Sequence, residues 1–73
     1  MENLLSRIEI RPDVRSGKPC VKGTRMTVQD VLEYLASGMT EAQILEDFSY
    51  INHQDILACL QYAAQKERMV VLA

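Results

Sequence analysis

The stretch SGKPCVKGTRM, residues 16 to 26, holds Lys18, Lys22 and Arg25 among two glycines, a proline and no acid, in a chain whose formal net charge is -2. With Arg15 just ahead of it, this concentration of donors suits an anionic partner: a nucleotide, nucleic-acid phosphates, or the carboxylates of another protein. The nucleotide reading fails on spacing. A phosphate loop has the form GxxxxGK[ST]; here five residues separate Gly17 from Gly23, and Thr24 and Arg25 replace the lysine and the hydroxyl residue. Gly23 is explained more simply as a turn that redirects the chain into a helix, because glycine tolerates positive φ.

Other reactive groups are sparse. His53 is the single histidine, and Cys20 and Cys59 lie far apart with no CxxC spacing, which argues against a zinc cage and against a disulfide framework. Both thiols read as buried or idle. No serine or cysteine stands in a context that marks a nucleophile. Glu46 and Asp47 are adjacent, so on a helix they project about 100° apart and form no poised carboxylate pair. No catalytic residue, metal or cofactor is expected, and the chain does not read as an enzyme.

Two candidate binding sets remain. As a DNA reader, a third helix would present His53 and Gln54 to base edges near its start, with Gln61 further along, and glutamine can pair bidentately with adenine. Lys18, Lys22 and Arg25 would then grip the phosphates, against an overall pI of about 5.2. As a protein binder, the chain would use Arg15, Lys18, Lys22, Thr24 and Arg25. A third possibility is a non-enzymatic dimerising protein-interaction module without DNA binding, in which Gly-Thr-Arg is purely structural, Gly23 making the turn, Thr24 bonding locally and Arg25 paired to an acid such as Asp30.

The elements that position these residues are written in a repeated hexapeptide: MTVQDV (26 to 31), MTEAQI (39 to 44) and INHQDI (51 to 56). Each predicts a helix start. Thr27, Thr40 and Asn52 are N-caps, and Asp30, Gln43 and Asp55 take the reciprocal position of a capping box. Met26, Met39 and Ile51 precede the caps and should meet Val31, Ile44 and Ile56 as hydrophobic staples. Val28, Val31, Leu32 and Leu35 form one apolar stripe; Ile56, Cys59, Leu60 and Ala63 form another; the shorter middle helix turns Ile44, Leu45 and Phe48 inward. Gly38 ends the first helix, and Phe48 to Asn52 joins the second to the third.

Ahead of the helices, RIEIR alternates in the manner of a half-buried strand, Pro12 to Gly17 turn the chain, and Pro19 to Lys22 return as a second strand. The expected fold is mostly α, a single domain with an N-terminal β-hairpin arm (1–26) and a trihelical, helix-turn-helix-like core (27–68). So small a sheet is marginal alone. It must pack on the helices or pair its edge with a second copy, which makes a homodimer the expected assembly.

At 73 residues the chain can bury only about 60% of its unfolded surface, so a large enclosed active site is not expected. Apolar residues make up 48% and charged residues 25%, the balance of a folded globule. The N-terminus carries an acid at position 2 and no long apolar run, and nothing approaches a membrane span, so a cytoplasmic location is expected. Charge divides unevenly. Residues 1 to 26 hold six cations against three acids, residues 27 to 73 two cations against seven acids. A cationic arm of this kind can also pair with the acidic helices of its own domain.

The order GKPCVKGTRMTVQDVLEYLASGMTEAQILEDFSYINHQDILACLQYA is similar to the bacterial family known as domain of unknown function 433, over about residues 8 to 66. The resemblance rests on Gly-Lys-Pro at 17 to 19, Gly-Thr-Arg at 23 to 25, Gly38 before a capped helix, and Asp-Ile at 55 and 56; SYIN stands where members often carry a proline-containing turn. It implies a homeodomain-like core with an N-terminal hairpin. It also implies an antitoxin-like protein, encoded beside a PIN-like ribonuclease toxin, that binds the toxin and operator DNA.

Overall fold

Each repeated hexapeptide opens a helix: α1 Val28–Ala36, α2 Glu41–Asp47 and α3 His53–Leu72. The computed structural model describes residues 3–72, with side chains as far as Arg68; Met1, Glu2 and Ala73, and with them the acid at position 2, lie outside the described residues. All three capping boxes are formed. Thr27 Oγ1 accepts from the Asp30 amide at 2.9 Å while Asp30 Oδ2 accepts from the Thr27 amide at 3.1 Å. Thr40 and Gln43 repeat the exchange at 3.1 and 2.8 Å, and Asn52 and Asp55 at 3.0 and 2.9 Å. Each exchange satisfies two amides that a helix start otherwise leaves without a partner.

The staple residues meet in one core. Met26, Val31, Ile44, Ile51 and Ile56 are buried together, and Met39 packs against them. Gly38 ends α1 at φ +101°. Its amide donates to Leu35 and that of Met39 to Tyr34, the paired bonds of a Schellman motif.

The stripe expected on α3 is rotated. Ile56 and Cys59 are buried as expected, but Leu60 is 42% exposed while Asp55 and Ala58 face inward. Counting apolar residues misses this because Asp55 is buried with its charge paired, by Arg7 at 3.1 Å.

The arm is less regular than the alternation predicts. A 3-10 turn, Leu4–Arg7, precedes β1, Ile8–Glu9, which pairs antiparallel with β2, Cys20–Val21. Arg7 therefore ends a turn and belongs to no strand, and Ile10 lies beyond β1 with 59% of its surface exposed. Between the strands a second 3-10 turn, Arg15–Gly17, places Arg15, Ser16 and Gly17 at φ +49°, +59° and +77°. The first two are sterically unusual for residues with a Cβ. Arg15 is held there by two bonds of 3.0 Å, to Asp30 and to the Arg25 carbonyl. The result is three helices with a small two-stranded sheet set against α3.

Candidate partner-binding surface

Internal pairing sorts the cations of the arm into two groups. Arg7 bonds Asp55, and Arg15 bonds Asp30. Arg11 donates to the Thr24 carbonyl at 2.6 Å, and its Nε lies 3.0 Å from Glu9 without the alignment of a hydrogen bond. Lys18, Lys22 and Arg25 are exposed and have no ion-pair or hydrogen-bond partner for their side chains among the described residues. The Asp30 partner considered for Arg25 is thus Arg15, because the left-handed turn at 15 to 17 carries that guanidinium to the start of α1.

The Gly-Thr-Arg turn is closed from within. The Thr24 amide and hydroxyl both donate to the Val21 carbonyl, at 3.0 and 2.9 Å, and the hydroxyl accepts from the Met26 amide at 3.0 Å. Gly23 sits at φ +78°, and its amide donates to Glu9. No side-chain contact would hinder a Cβ at position 23, so the positive φ alone calls for glycine there. Thr24, a candidate for the partner surface, is therefore engaged in building the turn. Arg25 follows it outward.

Arg25 opens onto a cleft of about 580 Å³ that it lines with Arg11, Val14, Gly23, Thr24 and Tyr50. Tyr50 comes from the connection between α2 and α3 and is 60% exposed. It stands edge-on to Phe48, centroids 6.3 Å apart, and Phe48 stacks on Tyr34 at 5.0 Å. This aromatic relay fixes Tyr50 beside the arm. Sequence reasoning missed Tyr50 because SYIN was legible only as a connection; a large aromatic in a short polar turn was the available signal.

The DNA candidates lie elsewhere. His53 and Gln54 are exposed at the start of α3 and Gln61 two turns on. His53 Nδ1 meets Glu41 of α2, and Glu46 and Asp47 line another cleft with Met39 and Gln43. Lys18 and Arg25 therefore line different clefts, and an acid, Glu41, meets His53 at the start of α3.

Burial pushes the Asp30 carboxyl up, but the Thr27 amide, the Arg15 guanidinium and the Thr27 hydroxyl outweigh it, so its pKa falls below the ordinary 3.8. Burial, and then the nearby Asp55 charge, push the Cys59 thiol up to about 12. At neutral pH Cys59 holds its proton and is no nucleophile. Among the described residues no group of three histidine, cysteine or acidic side chains could hold a metal ion, and no helix is long and apolar enough to cross a membrane.

Residues 8–63 match the model of a family described as protein of unknown function (DUF433). No curated protein matches the chain. Among solved structures, a DUF433 member protein from Anabaena variabilis superposes with a TM-score of 0.81 at 23% identity. The match covers 88% of this chain and 63% of that one, so the chain spans less than two thirds of that protein's length. The likeness is one of fold.

Proposed function

The chain belongs to the DUF433 family, and from that premise we propose that it is a non-enzymatic, antitoxin-like regulator that neutralises a PIN-like ribonuclease toxin. Arg25 enters the toxin's acidic metal pocket. The observation that carries this reading is the state of Arg25, an exposed guanidinium without an internal partner at the mouth of a cleft beside Tyr50. A guanidinium among carboxylates competes with the divalent cation that such a nuclease needs. Tyr50 supplies the rigid aromatic area that protein interfaces favour next to arginine. The protein acts in the cytoplasm, where the toxin's RNA substrates are, as a homodimer joined through the edge of β1 next to exposed Ile10.

Operator DNA is the second reading, favoured by the exposure of Gln54 and Gln61 on α3. Glu41, which meets His53 at the start of that helix, opposes phosphate approach, and this supports taking protein binding as the first reading.

The test is inhibition of a PIN-like ribonuclease, sought first in the reading frame beside this gene. The unaltered chain should inhibit it. Arg25→Ala should lose at least tenfold in inhibitory potency with an unchanged melting temperature, and Tyr50→Ala should lose a smaller factor. Full inhibition by Arg25→Ala would sink the proposal. For the DNA reading, operator affinity should fall steeply with added salt; no binding at low salt removes that branch.

A further inference from the structure

A second cleft, sharing no lining residue with that of Arg25, lies on the seam between α1 and α3. Its volume is about 390 Å³, within the roughly 300 to 1,000 Å³ typical of small-molecule sites. Val28 and Leu32 of α1 face Tyr62 and Ala63 of α3 across it, so its walls are apolar. Leu32, Tyr62 and Ala63 remain half-exposed there. The charged lining residues are Lys18 at the end of the arm loop and, on α3, Lys66 and Glu67. The Lys66 ammonium lies 5.6 Å from the centre of the Tyr62 ring, where the π face attracts it. Lys18 has no side-chain partner among the described residues.

We propose that this seam binds a small amphipathic monocarboxylate, its apolar tail against Leu32, Tyr62 and Ala63 and its acid group between Lys18 and Lys66. Charge and size select that class. Two lysines less Glu67 leave one positive charge, which a single carboxylate balances, in a chain that is acidic overall. The apolar walls exclude a wholly hydrated anion. Among the described side chains the walls run from Val28 to Leu32 and from Tyr62 to Glu67, about 6 and 7.5 Å at a helical rise of 1.5 Å per residue. The space between these walls is of small-molecule size. A medium-chain fatty acid or aryl-alkanoate would fill it.

The probe is octanoate, titrated into the isotopically labelled full chain and followed by NMR. Saturable shifts should concentrate at the amides of Leu32, Tyr62, Ala63 and Lys66. Acetate, with the charge but no tail, and octanol, with the tail but no charge, should each bind at least tenfold more weakly. Lys18→Glu combined with Lys66→Glu, both on exposed side chains, should weaken octanoate by tenfold or more, while Arg25→Ala should leave it unchanged. Shifts spread over the whole surface, octanol binding as tightly as octanoate, or unaltered affinity in the double variant would each overturn the proposal. None of these outcomes depends on whether a ribonuclease is inhibited.

Discussion

At the starts of α1 and α3 the reciprocal residue of the capping box is an aspartate, and each aspartate also holds an arginine of the N-terminal arm, Arg15 on Asp30 and Arg7 on Asp55. At the start of α2 the same position is Gln43, exposed, and its side chain serves the cap alone. The difference shows how one local device takes on a second task. A neutral side chain at this position can close the cap, whereas an ionised one closes the cap and still presents a charge to another segment. The arm needs such anchors, since strands of two residues each contribute little by themselves. Arm and helices are joined electrostatically as well as through the core, and the cations left over include Arg25 and Lys18 of the two proposed binding surfaces.

The comparison predicts a graded series of stability losses. The largest belongs to Asp55, which is 7% exposed and faces Arg7 across 3.1 Å. Asp55→Ala removes half of a capping box together with a mostly buried ion pair to Arg7, which should cost about 2–3 kcal/mol in urea denaturation. For a domain this small the loss is a large part of the total stability. A loss no greater than that of the corresponding change at Gln43 would break the distinction between the anchoring boxes and the local one.

Asp30 comes second. Its side chain is 24% exposed and that of Arg15 36%, so solvent and salt screen the pair. Asp30→Asn should cost about 1 kcal/mol, less in high salt. The change should also alter acid unfolding. Because the folded-state pKa lies below 3.8, the unfolded chain binds this proton more readily. The stability contributed by Asp30 is therefore complete above 3.8 and is lost as pH falls through the depressed folded value. Asn at this position should flatten the stability curve below about pH 4, and a profile parallel to that of the unaltered chain would show that Asp30 contributes no proton linkage.

The helix starts were legible in sequence because a capping box spans four residues and its chemistry is local. So was the strand pairing in outline, although of the alternating run only Ile8 and Glu9 pair and Ile10 is exposed. The anchors were not. Arg7 and Asp55 are 48 positions apart and Arg15 and Asp30 are 15 apart, and nothing in composition says which of the six arginines and lysines of residues 1–26 meets which acid. That is why Arg25 could be considered for the place that Arg15 occupies. The burial of Asp55 was hidden for the same reason, and with it the rotation that exposes Leu60. Tyr50 became a candidate only when the fold set the α2–α3 connection beside the Gly-Thr-Arg turn.

The smallest effect in the series sharpens the contrast most. Gln43→Ala removes one exposed acceptor from the Thr40 amide, a bond of 2.8 Å, and should cost about 0.5 kcal/mol because water replaces the lost partner. Its informative readout is position. Hydrogen exchange of the Lys22 amide, which donates to the Arg7 carbonyl at 2.7 Å and so reports on the arm, should be unchanged in Gln43→Ala beyond the small global shift. In Asp30→Asn the same amide should exchange faster by more than the global loss accounts for, because the arm is released where Arg15 held it. Gln43→Glu tests the converse. A carboxylate there gains from the helix dipole but faces Glu46 and Asp47 one turn along, and no arm cation pairs with Gln43. It should therefore leave both stability and arm exchange nearly unaltered. A clear slowing of exchange at Lys22 in Gln43→Glu would mean that charge at any helix start draws the arm in, and that the positions of Asp30 and Asp55 matter less than their sign.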